Sequence, residues 1–307
     1  MRTEVWDRIL AALGQRLAAP SADLPSVRWL AEPALRRLLV AVRDALVDLP
    51  GKTRLTGRRL LALLCESGLA RALIIPDVPE GQKPLRIYRL GMGGVREITP
   101  LELLQAVKPS DVICYFSALQ FHELTTQVTP HHHIARLEAV TKRDATWVAP
   151  EGNVVQERAL GTLLFRHEGV PYYWTRRDCT LVPGVQWAYL SGETMVQITT
   201  PEQTLLDTLH RPWSCGGPAV VFEAWERGAS RLDGERLAGY LTTIARPAVC
   251  RRVGCMLERC GYRTDNPGLA EVLRLAKASA AGEPMLLLLP EVPGNSIDPA
   301  WNLGVPG

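Results

Sequence analysis

The first 90 residues contain three amphipathic helical patterns followed by two short strand patterns, and this order limits the possible folds more than any other feature of the chain. The helical patterns lie at residues 3–18, 34–48 and 56–67. The strand patterns lie at residues 71–75 and 85–90. Thr56 can cap the third helix and Gly68 can end it. This order is typical of a winged helix-turn-helix domain, in which the last helix before the hairpin enters the major groove of DNA.

Positive charge gathers at the start of the third helix. The side chains that could contact DNA there are Lys52, Thr53, Arg54, Thr56, Arg58 and Arg59. Positive charges at a helix N-terminus oppose the helix dipole, at a cost of roughly a few tenths of a kcal/mol each, so a phosphate partner explains them better than stability does. We expect Lys83, in the loop between the strands, to join this surface, although Asp77 and Glu80 in that loop predict weak contact. A solvated helix start without a partner is the alternative.

Charge is distributed unevenly along the chain. Residues 1–95 contain 15 Lys and Arg against 9 Asp and Glu, a net charge of +6, whereas the remaining residues contain 20 against 23, a net charge of −3. A basic first third favours a polyanionic partner for that part. Gly91, Gly93 and Gly94 indicate a hinge beside it. We therefore predict an α+β protein with a winged-helix DNA-binding domain at 1–95 and a larger mixed α/β domain at 96–307.

Composition narrows the class of protein. The chain has 307 residues, 47% hydrophobic and 22% charged, as expected for a globular protein of about two domains. The apolar runs are short, such as the five residues at 285–289, and none approaches the roughly 18 that span a bilayer. The N-terminus lacks the pattern of a signal peptide, and the seven cysteines are scattered without a CxxC pair. These features predict a cytoplasmic protein with reduced thiols and no membrane partner.

The sharpest local signal in the second part is a helix start near residue 200. Thr200 is placed as the N-cap, Pro201 occupies the first helical position, and Gln203 can reach back as the second half of a capping box. We expect a helix to begin there, with Glu202 on its exposed side. Two further elements are expected before it, a helix at about 110–124 and a β-rich segment at about 132–199.

Five motifs in this part, taken in order, resemble those of the AbiEi family, the antitoxins of bacterial type IV abortive-infection systems. They are SALQFHELT at 117–125, PEQTLLD at 201–207, RPWSCGG at 211–217, RRVGCMLERCG at 251–261 and DPAWNL at 298–303. The resemblance spans about residue 55 to the end of the chain. It places the antitoxin motif on Ser117, His122, Pro201, Glu202, Gln203, Thr204 and Asp207. The chain departs from the family at Gln203, where the family usually has arginine.

The resemblance implies an antitoxin that represses its own operon. The winged helix would bind operator DNA, as a monomer or a weak dimer on inverted repeats, and the second domain would neutralise a nucleotidyltransferase-like toxin. Whether that domain contacts the toxin or acts on its target is left open. A stand-alone repressor without a toxin is the main alternative, and a metal-dependent nuclease is the third.

A nuclease would need converging carboxylates, and the candidates are Asp111, Glu123, Glu202 and Asp207. Glu202 suits the first turn of its helix electrostatically, and Asp207 lies five residues on, off the same face. Residues 131–133 are three consecutive histidines, which alternate between faces in a strand, and we expect a turn after Pro130 instead.

Two other arrangements could carry chemistry. Ser117 and His122 lie five residues apart on one expected helix, out of hydrogen-bond reach for a nucleophile and its base. Cys250, Cys255 and Cys260 would fall on different faces of a helix, so packing explains them better than zinc does. We therefore predict a binding protein with no catalytic site, no metal and no cofactor.

Overall fold

The computed structural model describes residues 2–18, 29–46, 55–91, 97–139, 160–191 and 194–306. Helices and strands both occur throughout, so the chain has the α+β fold that the sequence predicts. Backbone contacts divide it into two compact units. The N-terminal unit comprises Met1–Ser110, Phe165–Gly169 and Trp187–Val196. The C-terminal unit comprises Asp111–Leu164, Val170–Gln186 and Gln197–Gly307.

The N-terminal unit contains four helices and a small sheet among its described residues. The helices are α1 (Arg2–Ala18), α2 (Glu32–Ala45), α3 (Gly57–Glu66) and α4 (Pro100–Val107). The strands β1 (Trp29–Ala31), β2 (Ala70–Ile75) and β3 (Leu85–Leu90) form an antiparallel sheet in the order β1-β3-β2. The three expected helices and two expected strands are confirmed, and β1 is an element that the sequence patterns missed. The expected end of α2 at residue 48 lies outside the described residues.

Both ends of α3 follow the signals in the sequence. Thr56 Oγ1 accepts a hydrogen bond from the backbone N–H of Arg59 at 3.3 Å. Gly68 has a φ of +72°, the left-handed conformation that lets the chain leave the helix for β2. A Cβ on Gly57 would lie 3.0 Å from Val40 Cγ2 of α2, so glycine allows the two helices to approach closely. Their apolar faces join α1 in one core that includes Ile9, Leu13, Leu35, Leu39, Leu60 and Leu64.

Helix α4 belongs with this unit. Thr99 and Glu102 form a reciprocal capping box at its start, and α4 contacts β1. Contacts therefore place the division of the chain after Ser110, whereas the sequence places a domain boundary after residue 95. The two boundary positions differ because the glycine cluster indicates only a local break in the chain. The packing of α4 extends the N-terminal unit beyond that break. Gly91 has a φ of +99°, and the other two glycines lie outside the described residues.

Most of a six-stranded mixed sheet lies in the C-terminal unit, in the order β6-β7-β5-β4-β9-β8. Its strands are β4 (Val112–Ile113), β5 (His132–Glu138), β6 (Thr162–His167), β7 (Val170–Asp178), β8 (Val185–Ser191) and β9 (Thr194–Thr199). Strand β5 pairs in parallel with β7, and β4 lies between β5 and β9. The expected β-rich segment is confirmed where it is described, and residues 140–159 lie outside the description.

The expected helix at 110–124 is wrong in its first half. Val112 and Ile113 form strand β4, which pairs with β5. Tyr115 then has a φ of +55°, which interrupts a helix, so α5 covers only Phe116–Phe121. A short apolar run has the same local pattern in a buried strand as in a helix, and the pairing with a distant strand decides between them.

Five further helices and a second sheet complete the described part of the C-terminal unit. The helices are α6 (Pro201–His210), α7 (Pro218–Gly228), α8 (Gly234–Ile244), α9 (Pro247–Arg259) and α10 (Pro267–Ala280). The strands β10 (Leu286–Leu287), β11 (Ser296–Asp298) and β12 (Leu303–Val305) form a sheet in the order β10-β12-β11. Within the described ranges, no helix combines the length and the apolar character needed to cross a membrane.

Candidate functional site

Helix α3 presents two cations at its first turn. Arg58 and Arg59 are exposed, on the side of the helix away from the buried leucines. Arg59 Nη1 donates to Glu66 Oε1 at 3.0 Å, while Arg58 has no ion pair among the described residues. Because water screens an ion pair this exposed, it contributes little to stability and a phosphate can replace it. The first turn of α3 can therefore offer two guanidinium groups to an anion.

The other expected DNA contacts have separate outcomes. Thr56 is exposed, and its hydroxyl caps α3. Lys83 is exposed in the loop before β3. Lys52, Thr53 and Arg54 lie outside the described residues, so their role stays a prediction.

Lys83 lines a broad groove of the N-terminal unit that the sequence patterns did not reveal. The groove has a volume of about 1190 Å³ and is bounded by α2, by the first residue of α3 and by the β2–β3 hairpin. We name it the basic groove after its charged lining residues, which are Arg36, Arg37, Lys83 and Arg86 against Glu32 and Asp44. Since Gly57 also lines it, the groove reaches the start of the helix that carries Arg58.

Positive charge dominates the basic groove. Both of its acidic residues have basic partners, because Arg36 lies 3.6 Å from Glu32 and Arg43 lies 2.7 Å from Asp44. Arg37 and Lys83 have no ion pair within the described ranges. The sequence signal for this groove is the arginine doublet on the polar face of α2. The groove supplies cations beyond those that the sequence assigned to DNA.

The antitoxin-motif residues have a different setting, because nearly all of them are buried. Pro201 is half-buried at the start of α6. The other six are Ser117, His122, Glu202, Gln203, Thr204 and Asp207, and each is at most 8% exposed. Because these side chains are buried, they can affect the protein surface only by positioning the exposed residues around them. Their hydrogen bonds show what they hold in place.

Thr200 caps α6 as predicted, but the capping box is incomplete. Thr200 Oγ1 accepts from the backbone N–H of Gln203 at 3.3 Å. The Gln203 side chain does not reach back to Thr200, because its Nε2 donates to Leu181 O at 3.1 Å and to Asp207 Oδ1 at 2.9 Å. The backbone N–H of Thr200 instead donates to Gly184 O at 3.1 Å. A distant segment thus replaces the local partner that the sequence pattern predicts.

Asp207 forms a buried ion pair with Arg177. Arg177 on β7 donates to both of its carboxylate oxygens, at 2.7 and 2.5 Å. The guanidinium carbon also lies 4.7 Å from the centre of the Tyr115 ring. Burial alone would lower the pKa of Arg177, and the adjacent Asp207 carboxylate reverses the direction and raises it. This pair fastens α6 to the sheet.

Glu202 is buried, contrary to the expectation that it lies on the exposed side of α6. It is 2% exposed and accepts from the backbone N–H of Asp233 at 3.2 Å and from Arg236 Nη1 at 3.2 Å. The N-cap of α8 and the first turn of α6 are therefore joined through this one carboxylate. Its replacement would disturb packing as well as charge.

The four carboxylates considered for a metal site lie in separate networks. Asp111 accepts from Trp174 Nε1 at 2.7 Å and from Arg136 at 3.1 Å, and Glu123 is exposed. Glu202 and Asp207 have the partners described above. Among the described residues, no three His, Cys, Asp or Glu side chains converge as ligands for a metal ion.

The three consecutive histidines lie partly on a strand, which corrects the expectation of a turn. His132 and His133 begin β5, and all three rings are buried. His132 Nδ1 lies 3.3 Å from Ser117 Oγ, and burial, with the neighbouring His131, lowers the pKa of His132 to about 4. Ser117 is wholly buried and also accepts from the backbone N–H of His133 at 2.9 Å. This serine–histidine contact therefore supports the fold, since a substrate cannot reach it.

The other motif histidine is structural as well. His122 Nε2 lies 2.7 Å from Thr199 O, so it joins the end of α5 to the residue before the α6 cap. Burial lowers the pKa of His122. Cys250 and Cys255 are buried in α9, and Cys260 at its end is half-buried. These groups pack the interior, as the sequence suggested for the cysteines.

Comparisons with known proteins include a distant structural likeness. No family model matches the chain, and no curated protein matches it. Among solved structures, it resembles the crystal structure of the RV2827C protein from Mycobacterium tuberculosis, with a TM-score of 0.49 and 14% sequence identity over 98% of this chain and 91% of that chain. A likeness of this degree carries no statement about function or family.

Proposed function

We propose that the chain is a DNA-binding transcriptional repressor and the antitoxin of a type IV toxin–antitoxin system, as its resemblance to the AbiEi family implies. Its N-terminal unit binds operator DNA, its C-terminal unit counteracts a nucleotidyltransferase-like toxin, and it acts in the cytoplasm without catalysing a reaction. One observation carries the DNA-binding part of the proposal. The third helix of the N-terminal unit begins with two exposed arginines, Arg58 and Arg59.

The order of elements supports this interpretation. A winged-helix domain is expected to have the element order helix, strand, helix, helix, strand, strand. The N-terminal unit has this order, and its sheet has the strand order β1-β3-β2. In such a domain α3 is the helix that enters the major groove, and cations at its first turn face the phosphates on either side. The exposed Lys83 and the arginines of the basic groove extend the positive surface toward the hairpin. Phosphate contacts of this kind position a protein on DNA, whereas base contacts specify the site.

The antitoxin part rests on the motif resemblance, and the burial of the motif changes what it predicts. Residues such as Gln203 and Asp207 hold α6 against the sheet, so they maintain the shape of the C-terminal unit. Any surface that counteracts a toxin must be formed by exposed residues around this framework. The same burial favours a second candidate, a stand-alone repressor, because the motif then has a purely structural role.

Growth of cells that express the product of the adjacent reading frame separates the two candidates. The full chain is supplied from an unrelated promoter, which removes repression as a route to protection. An antitoxin should restore growth, and the Arg58→Ala/Arg59→Ala variant should do so equally well because α3 would serve only DNA binding. Growth inhibition that the chain does not relieve, or an adjacent product without any toxicity, would leave the stand-alone repressor as the function.

A further inference from the structure

The C-terminal unit contains a second basic cavity, which is separate from the proposed DNA surface and is lined in part by residues of the motifs at 211–217 and 251–261. Its volume is about 350 Å³, and it lies between the end of α6, the start of α9 and the segment after β10. Three arginines line it, Arg211, Arg246 and Arg252. Its only lining carboxylate among the described residues is that of Glu291, so positive charges outnumber negative ones three to one.

Arg252 forms a fixed part of the cavity wall. Its Nε donates to Leu287 O at 2.9 Å, and its Nη1 lies 3.5 Å from Leu209 O. Within the described ranges, no carboxylate forms an ion pair with it, so backbone carbonyls hold the guanidinium without neutralising it. Burial, and then the adjacent Arg251, lowers the pKa of Arg252 to about 10. A largely buried cation without a counter-charge gains most when an anion binds beside it.

The backbone adds to this positive field. Arg246 is the N-cap residue of α9, and Ala248 and Val249 of its first turn line the cavity. No side chain caps this helix end, Pro247 has no N–H, and the N–H of Val249 donates to Arg246 O at 3.0 Å, so the N–H of Ala248 is the first-turn amide that can attract an anion here. Arg246 itself is exposed, so its side chain can move to meet a ligand.

The cavity also has an apolar side. Trp213, Pro212 and Pro290 line it beside the arginines, and Trp213 is half-buried. Binding cavities for small molecules combine such apolar walls with a few convergent polar groups and have volumes of about 300–1,000 Å³. A single inorganic phosphate leaves much of this wall uncovered, whereas a phosphate ester with a ring can cover it.

We propose that this cavity binds a small phosphate ester of about the size of a nucleotide, with its phosphate among Arg211, Arg246 and Arg252 and its organic part against Trp213. Ligand binding in this cavity requires neither DNA binding by the N-terminal unit nor any antitoxin activity. It gives the C-terminal unit a small-molecule ligand of its own.

Calorimetric titration of the full-length protein with defined probes tests this proposal. The probes are AMP, UMP, inorganic phosphate and adenosine, each at a constant salt concentration. Both nucleotides should bind, inorganic phosphate should bind more weakly, and adenosine should bind at least tenfold more weakly than AMP because it lacks the anion. Equal binding of adenosine and AMP, or no binding of any phosphate probe at 10 mM, would overturn the proposal.

Three substitutions assign the binding to this cavity. Arg246→Gln should weaken AMP binding at least fivefold, and Glu291→Gln should strengthen it at least twofold because it removes a negative charge from the cavity wall. Arg263→Gln removes an exposed arginine outside the cavity and should leave the affinity unchanged. Opposite effects of the first two variants cannot result from a general loss of folding. Wild-type affinity in Arg246→Gln would show that the ligand binds elsewhere and would contradict the assignment.

Discussion

Arg177 on β7 and Asp207 on α6 are joined by two hydrogen bonds, although 30 residues separate them in the sequence. The side chains are 5% and 1% exposed. Gln203 donates a third hydrogen bond to the same carboxylate, and the Tyr115 ring lies against the guanidinium. The first helix after the sheet is thus fixed to β7, the second strand from one edge of the sheet, by charges that water cannot screen.

Asp207→Asn should destabilise the protein strongly, because it leaves the Arg177 charge buried without a counter-charge. Loss of one partner of a buried pair typically costs about 3–5 kcal/mol, which urea unfolding monitored by tryptophan fluorescence can measure. Glu271→Gln, which breaks the exposed pair with Arg274, is the matched control and should leave the unfolding midpoint unchanged. A loss below about 1 kcal/mol in Asp207→Asn would contradict the role assigned to the buried pair.

Buried histidines should make the protein sensitive to acid. The pKa of His132 is about 4 in the folded chain against 6.5 as its ordinary value, so unfolding takes up a proton between these values. Stability should therefore fall as the pH is lowered from about 6.5 to about 4, by on the order of 3 kcal/mol from this residue. Burial also lowers the pKa of His122, His131 and His133, which act in the same direction.

His132→Gln should flatten this pH dependence, and the free energy of unfolding measured at pH 7.5, 6 and 5 provides the test. His167→Gln, which alters a partly exposed histidine on β6, serves as the control and should retain the wild-type slope. Identical slopes in the wild type and His132→Gln would show that His132 does not remain neutral in the folded protein.

Gly254 allows α9 to pack against the last tryptophan of the chain. A Cβ at this position would lie 2.1 Å from Trp301, so Gly254→Ala should force the ring aside and cost roughly 1–3 kcal/mol or more. Gly239→Ala in α8 is the control, since a Cβ there meets nothing within 4 Å and should stabilise the helix by up to about 1 kcal/mol. Thermal unfolding should shift in opposite directions for the two variants, and a neutral Gly254→Ala would refute the close contact.

The side-chain cap that Thr200 provides for α6 should contribute about as much to stability as one hydrogen bond. Thr200→Ala removes the acceptor for the N–H of Gln203 and should cost about 1 kcal/mol, whereas Thr200→Ser should retain most of the stability. Denaturant midpoints compare the two variants directly. Equal losses in both would mean that the methyl group, rather than the cap, is what α6 needs.

Helix and strand boundaries that depend on residues close by in the sequence could be predicted from the sequence. Thr56 and Gly68 define α3, and Thr200 with Pro201 defines the start of α6, because caps and left-handed glycines act within one helical turn. Hydrophobic periodicity likewise located α1, α2 and the hairpin. These signals need no knowledge of the rest of the chain.

Features that depend on distant partners could not be predicted. Strand β4 has two residues and exists because β5 and β9 pair with it. The side chain of Gln203 has the spacing for a capping box, yet it donates to Leu181 O and Asp207 instead. The basic groove is assembled from α2 and the hairpin, so Arg37 and Arg86 carry no local signal that links them.

The proposed function depends above all on the claim that the first turn of α3 binds duplex DNA. Fluorescence anisotropy of the full-length protein with the DNA upstream of its own gene, at a series of salt concentrations, measures this binding. If about four phosphates are contacted, log affinity should fall with log salt at a slope near −3 to −4, and Arg58→Ala/Arg59→Ala should weaken binding and reduce the slope by about 2. Arg263→Ala/Arg274→Ala removes the same charge from the C-terminal unit and should bind as the wild type does. Equal affinity and equal slope for the α3 variant and the wild type would contradict the claim.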